Sequence, residues 1–245
     1  MIARLLFTVT ALLLAAAHTR AAEPVDLELV LAADGSGSID EAEFRLQRAG
    51  YAAAITHPRV LSAIRGGAYR RIALTLIEWA APESQHTIVD WMVIHDEASA
   101  KAFADKLLKA DRVAFGYNSI SAAIVYGARK IRENGYEGVR RIIDVSGDGP
   151  QMNGPPLAVV RQQTIAAGIT INALVIKSPG GGYPGPRGEP LDVHYRNDVI
   201  GGNGPFVMVA ESRAHFAKAI LNKLILEIAG RAPDGTTATV ARTGD

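Results

Sequence analysis

The 245-residue sequence predicts an α/β domain, a doubly wound and mostly parallel sheet with one antiparallel edge strand, layered between helices on both faces. Three observations carry this reading. Short β-rich runs alternate with stretches of helical periodicity along most of the chain, with no repeat of fixed period. The first run, residues 27–33, is apolar at nearly every position, as in strands covered on both faces. It ends in Asp34-Gly35-Ser36-Gly37-Ser38, so oxygen-bearing side chains fall between a strand tip and a helix start, where open α/β sheets bind ligands.

Taken in order, residues 1–21 hold one early charge, Arg4, an uncharged apolar block over 5–17, and small residues before a cleavage point after Ala21 or Ala22. A secretory signal peptide is expected, because the block is shorter than the roughly 20 residues a spanning helix needs. A periplasmic or secreted location follows, without a membrane anchor once the peptide is cleaved. Cleavage removes Arg4 and Arg20, leaving 24 basic residues against 25 acidic and a net charge of −1, which implies no nucleic-acid footprint. The absence of cysteine removes disulfides, thiolate metal sites and a lipidated N-terminal cysteine. A hydrophobic content of 48% supports one core-stabilised domain over 25–230, followed by a loose polar tail over 231–245. A monomer is expected.

Within that domain, residues 40–54 have apolar positions at helical spacing. Runs 71–79 and 87–94 are joined by a polar turn at 82–85, which suggests an antiparallel hairpin at the sheet edge. Helices are expected over 97–108 and 119–131, the second entered through Phe115-Gly116-Tyr117-Asn118. A strand over 139–146 ends in Gly147-Asp148-Gly149-Pro150, a second acidic strand tip. Then come a helix over 157–167 closed by Gly168, a strand over 170–176, and a loop over 177–190 too rich in Gly and Pro for regular structure. A short helix over 192–199, a strand over 206–210 and a final helix over 212–229 complete the reading.

Loops leaving parallel strands share one sheet edge, so Asp34, Ser36, Ser38 and Asp148 can converge. An oxygen-only donor set suits a hard divalent cation such as Mg2+, which accepts a few protein ligands and fills its remaining positions with water or a partner. Gly35 and Gly37 are expected to let the backbone turn sharply. The same five residues also make an ordinary flexible turn, and the convergence of separate loops is what favours a metal.

Asp34-x-Ser36-x-Ser38, Gly116-x-Asn118 and Ser146-Gly147-Asp148-Gly149 resemble the metal-ion-dependent adhesion site of von Willebrand factor type A domains, over roughly 25–230. The phrases Glu41-Ala42-Glu43-Phe44-Arg45-Leu46-Gln47-Arg48, Val145-Ser146-Gly147-Asp148-Gly149-Pro150 and Asn197-Asp198-Val199-Ile200-Gly201-Gly202 are similar to a bacterial secreted branch, the domain of unknown function family 1194. The resemblance implies Ser36 and Ser38 as hydroxyl ligands, and Asp34 and Asp148 as carboxylates acting directly or through water. It implies Mg2+, with Mn2+ or Ca2+ as substitutes, and a protein partner whose Asp or Glu carboxylate completes the coordination. The third loop departs from the pattern: Asn118 stands where the family usually has Thr, and Ser119 is the alternative donor.

Binding is preferred to catalysis, so no enzymatic activity is expected. Two carboxylates roughly neutralise one divalent ion and leave it able to attract a third. The competing readings are a metal-dependent hydrolase that uses the open position for water, and a scaffold with a vestigial site. For the hydrolase no second metal cluster or general base is placed by motif, and His95 and Asp96 follow a strand whose end faces away. His57, His86, His194 and His215 lack ligand spacing and read as surface or helix residues. Arg70-Arg71 and Arg140-Arg141 read as solvated strand starts, and Trp79 and Trp91 as core. Gly180-Gly181-Gly182 lacks the Lys-Ser/Thr of a phosphate loop. The loop over 177–190, with Tyr183 and Arg187, is expected to rim the ion and select the partner.

Overall fold

The computed structural model describes residues 22–177, 183–212 and 215–230. The expected signal peptide and C-terminal tail lie outside the described residues, as does the Gly180-Gly181-Gly182 stretch. Strand β1 (Glu23–Asp34) is the centre of the sheet, and its side chains alternate between two cores. Leu27, Leu29, Leu31 and Ala33 enter one, and Val30 and Ala32 the other.

The remaining elements are α1 (Glu41–Ile55), α2 (Pro58–Arg65), β2 (Ile72–Trp79), β3 (Gln85–Ile94), α3 (Glu97–Lys109), α4 (Ile120–Arg132) and β4 (Tyr136–Gly147). After them come α5 (Leu157–Ala166), β5 (Thr170–Ile176), α6 (Leu191–His194), which runs on into a π-turn at Tyr195–Val199, β6 (Val207–Ala210) and α7 (Phe216–Ala229). The sheet order is β3-β2-β1-β4-β5-β6, parallel except for the antiparallel edge strand β3. Helices α1, α2, α3 and α7 cover one face, and α4, α5 and α6 the other. This is the predicted three-layer, doubly wound arrangement. Strand order reverses between β1 and β4, so their tips flank the crevice.

Local chemistry accounts for most boundaries. Asp40 caps α1 through a reciprocal box with Glu43, and Asp96 caps α3. Gly168, at φ +75°, follows the end of α5. Helix α2 has no counterpart in the sequence reading. Its signals are a His57 cap, Pro58 in the first turn, and Val60, Leu61 and Ile64 buried at helical spacing. Trp79 is fully buried, and Trp91 packs partly buried on the same core. Arg140 is not merely a solvated strand start: its guanidinium donates to the Glu227 and Ile228 carbonyls near the end of α7. Among the described residues no helix is long and apolar enough to cross a membrane.

A buried ionic cluster ties the middle of β4 to α7. The Lys223 ammonium lies 2.7 Å from Asp144 Oδ1 and donates to Glu227 Oε1, which also accepts from Asn172 Nδ2 at 2.9 Å. All four side chains are buried. Two carboxylates share one ammonium, so burial and the charge of Glu227 push the Asp144 carboxyl up to about 7, against the opposing pull of Lys223. In the unfolded chain an aspartate releases its proton near pH 4. Between about pH 4 and pH 7 the folded state therefore holds more protons, and stability falls as pH rises through that window. We expect the thermal midpoint, measured in chelator, to drop as pH goes from 5 to 8, and Asp144→Asn to flatten the slope. An unchanged slope in the variant would mean that Asp144 stays ionised throughout.

Candidate metal centre

Parallel pairing sets Ala33 opposite Ser146, so the chain leaves β1 and β4 side by side, through Asp34 and towards Asp148. The Asp34 carboxylate turns back on its own loop, Oδ1 accepting from the Ser36 amide at 2.8 Å. Ser36 Oγ lies 3.0 Å from Ser38 Oγ, and Ser38 Oγ donates to Asp148 Oδ1 at 2.7 Å. From the third loop Asn118 Nδ2 donates to Asp34 Oδ2 at 3.3 Å. All five predicted residues thus form one hydrogen-bonded group. Asp34 and Ser36 are fully buried, Asp148 and Asn118 nearly so, and Ser38 half-buried at the mouth.

Burial is the main cause that raises the Asp34 carboxyl to about 7, with the neighbouring Asp148 second. The opposing influences are hydrogen bonds from Ser36 and from the Asp148 backbone. Tyr195, fully buried, has its hydroxyl pushed well up by burial and by the same two aspartates, and it donates to the Gly149 carbonyl at 2.9 Å. A donor set of two carboxylates, two hydroxyls and one amide, closely spaced and desolvated, fits a hard divalent cation.

Ser119 is engaged elsewhere. It caps α4, and its hydroxyl donates to the Asn153 carbonyl at 2.7 Å, which leaves Asn118 as the third-loop residue in the cluster. The loop of Asn118 is zipped to the loop after β4 by Met152 N to Asn118 O at 3.0 Å and by the Gln151–Ser121 pair.

The chain does turn sharply at Ser36–Ile39, where Ile39 N donates to the Ser36 carbonyl at 3.0 Å, but neither Gly35 nor Gly37 takes a left-handed backbone there. A Cβ on Gly35 would sit 2.6 Å from Cγ of Glu78, whereas Gly37 has room. Glu78 belongs to a support layer absent from the sequence reading. Its carboxylate, fully buried, pairs with Arg48 at 2.9 Å and accepts from the Val113 and Ala114 amides at 2.8 and 2.9 Å. That anchors the segment carrying Arg112, whose guanidinium donates to the carbonyls of Gly35, Ser36 and Ile39 at 2.9, 2.7 and 2.7 Å. A glutamate inside an otherwise apolar strand was the available signal. Arg112 had none, because its role depends on a contact more than 70 residues back along the chain.

Other predicted features fall away from the cluster. His95 and Asp96 lie at the opposite sheet edge, since Ile94 pairs with Ile72 at the start of β2. His194 is on a helix but buried rather than exposed, with Nδ1 2.8 Å from Asp198 Oδ2. Glu189, His194 and Asp198 bring ligand-type atoms within 4.8 Å of one another. The Arg187 guanidinium already takes the cation's place there, 3.1 Å from Glu189 and 2.8 Å from Asp198. Arg187, though exposed, is engaged by these two acids and does not line the cluster's mouth, where Tyr183 is the member of the expected rim that does. A basin of about 570 Å3 opens there, lined by Ser38, Asn118, Tyr117, Pro150, Met152 and Tyr183 among others.

A doubly wound sheet with this loop constellation at its switch point is a von Willebrand factor A-like domain. The chain belongs to the protein-of-unknown-function family DUF1194, whose profile matches residues 24–232. No curated protein matches the sequence. Among solved structures it is similar to proximal thread matrix protein 1 from the mussel byssus, with TM-score 0.61 and 13% identity over 85% of this chain. That alignment spans 49% of the mussel protein, about half its length. A von Willebrand factor type A structure from Catenulispora acidiphila gives TM-score 0.56 and 14% identity over 84% of this chain and 43% of that one. The open conformation of the pilus adhesin SpaC from Lactobacillus rhamnosus GG gives 0.61 and 14% over 84% and 30%. These likenesses establish the fold.

Because Arg112 satisfies three carbonyls of the first loop, Arg112→Met should keep much of the side chain's bulk and lose the tether. The expected cost is about 2 kcal/mol in denaturant unfolding, with faster hydrogen exchange at the Gly37 and Ile39 amides. Unchanged exchange there would show that the loop holds its shape without the arginine.

Proposed function

We propose that this chain is a secreted or periplasmic binding module that holds a divalent cation, Mg2+ by preference, in the Asp34–Asp148 cluster. Through that cation it binds an acidic group on a protein partner. The observation that carries the reading is the meeting of oxygen donors from three loops in one buried, hydrogen-bonded group at the switch point. Ser36 and Ser38 would supply hydroxyls, Asp34 and Asp148 carboxylates, and Asn118 its amide oxygen. A half-turn of the Asn118 amide exchanges its nitrogen for its oxygen, so the atom that donates to Asp34 gives way to a ligand without movement of the backbone. The bound ion supplies an electrophilic position for a carboxylate from outside. In kind this agrees with the zinc-occupied metal-ion-dependent adhesion site reported for the mussel protein, and with SpaC being a pilus adhesin.

Binding is favoured over hydrolysis because the histidines near enough to matter are committed or distant. His194 is buried, with Nδ1 held by Asp198 and Nε2 facing the Gln151 amide at 3.4 Å, and His95 lies beyond the far edge of the sheet. Calorimetric titration with Mg2+ and Mn2+ tests the reading. One saturable site is expected in the wild type, weakened at least about tenfold in Asp148→Ala and in a Ser36→Ala, Ser38→Ala double variant. Absence of binding both alone and with glutamate present would overturn it.

A further inference from the structure

The rim of the cluster is apolar and exposed where a folded chain gains nothing by leaving it so. Tyr117 is 70% exposed, Tyr183 59% and Met152 58%, and all three border the same basin that reaches Ser38 and Asn118. Single exposed apolar residues need no explanation, but several large ones gathered round one opening mark a contact surface. The backbone beneath two of them is pinned. Gly37 N donates to the Gly116 carbonyl at 3.0 Å, next to Tyr117, and Met152 N donates to Asn118 O at 3.0 Å. Tyr117 and Met152 therefore project from a hydrogen-bonded floor, which lowers the cost of ordering them when covered.

Among the described residues, those lining the basin include no Asp, Glu, Lys or Arg, and Ser38 and Asn118 join it to the acidic cluster beneath. A volume of about 570 Å3 falls in the range of ligand sites. It can take a carboxylate together with a neighbouring side chain.

From this we infer that the partner is a protein segment carrying a single acidic residue directly flanked by an aromatic or large aliphatic one. The carboxylate goes to the cation, and the flanking side chain lies against Tyr117, Met152 and Tyr183. A second acidic residue in the flanking position would be desolvated against apolar walls with no counter-charge, which disfavours polyacidic segments. An aromatic one would gain burial and edge or offset stacking on the tyrosines. The inference rests on the cation reading above and deepens it.

Four blocked tetrapeptides test it, with Asp-Trp, Asp-Gly, Asp-Asp or Asn-Trp at the two central positions. Each is titrated into the purified protein in Mg2+ and in chelator, while Mg2+ itself is titrated separately. Asp-Trp should bind at least about tenfold more tightly than the other three, and only in Mg2+. Tyr117→Ser with Met152→Ser should erase that preference and leave the Mg2+ titration unchanged. Equal binding of Asp-Gly and Asp-Trp, or no binding of any peptide up to about 10 mM, would overturn the flanking contact while the Mg2+ titration still stood. Equal binding of Asn-Trp, or binding that survives chelator, would remove the cation from the interaction and overturn the inference. So would peptide-free protein that dimerises through Tyr117 and Tyr183. Failure of the Mg2+ titration itself would be the separate failure of the reading on which it rests.

Discussion

Two carboxylates buried side by side at neighbouring strand tips are the constraint to which the rest of this molecule answers. Parallel pairing of β1 with β4 leaves Asp34 and Asp148 nowhere to diverge, and the sheet that pairs them also removes them from water. Burial and mutual repulsion both oppose ionisation at Asp34, and what offsets them there is a set of hydrogen bonds. Ser36 supplies part of that compensation at Asp34, and Ser38 donates to Asp148 in the same chain of contacts. They keep the donors close enough to act as one group.

Holding such a group in place takes a second layer, and that layer is itself charged. The Arg48–Glu78 pair is buried beneath the first loop, and the remaining capacity of Glu78 is spent on two backbone amides of the segment that carries Arg112. An ion pair of this kind contributes little net stability, because desolvation offsets the attraction. Its use is positional. Arg112 reads three carbonyls at once, and Phe44 lies against both guanidiniums, which restricts the ways the 35–39 loop can relax. On the far side the Tyr195 hydroxyl fixes the Gly149 carbonyl, so the loop after β4 is braced from α6 and its π-turn as the loop after β1 is braced from α3's exit.

The fold was legible because its signals are local: the doubly apolar β1 run, alternation of strand and helix periods, and a connection between β2 and β3 too short for a parallel crossover. The ligand-type residues were legible because parallel topology sends the relevant loops to one edge whatever their distance in sequence. Asn118 could be named but not chosen over Ser119. The choice depends on Ser119 being committed to Asn153, a contact that no local pattern announces. Arg112 and Tyr195 were illegible for the same reason, whereas Glu78 was marked by its place in a mostly apolar strand but not by what it anchors. Each acts on a loop far away in the chain, and arginine or tyrosine in an irregular segment has many ordinary explanations. His194, read as a surface or helix residue, is on a helix, and what the sequence left unsaid is its burial, which Glu189 and Asp198 make tolerable.

Strand β4 and the residue just past its end carry two buried acids four positions apart, Asp144 and Asp148, and the contrast between them is one of partners. At Asp144 the fold supplies a cation of its own: Lys223 reaches in from α7 and is shared with Glu227, so one ammonium and one proton balance the pair inside the chain and the helix is locked to the sheet. At the strand tip the acid meets another acid. The groups that soften the pairing at Asp34 are hydroxyls, amides and backbone rather than ammonium or guanidinium. A stable core would be served by the first arrangement at both places. The second costs stability and lies beneath an exposed, tyrosine-bearing rim at the switch point of the sheet, and costs of this kind cluster at functional sites.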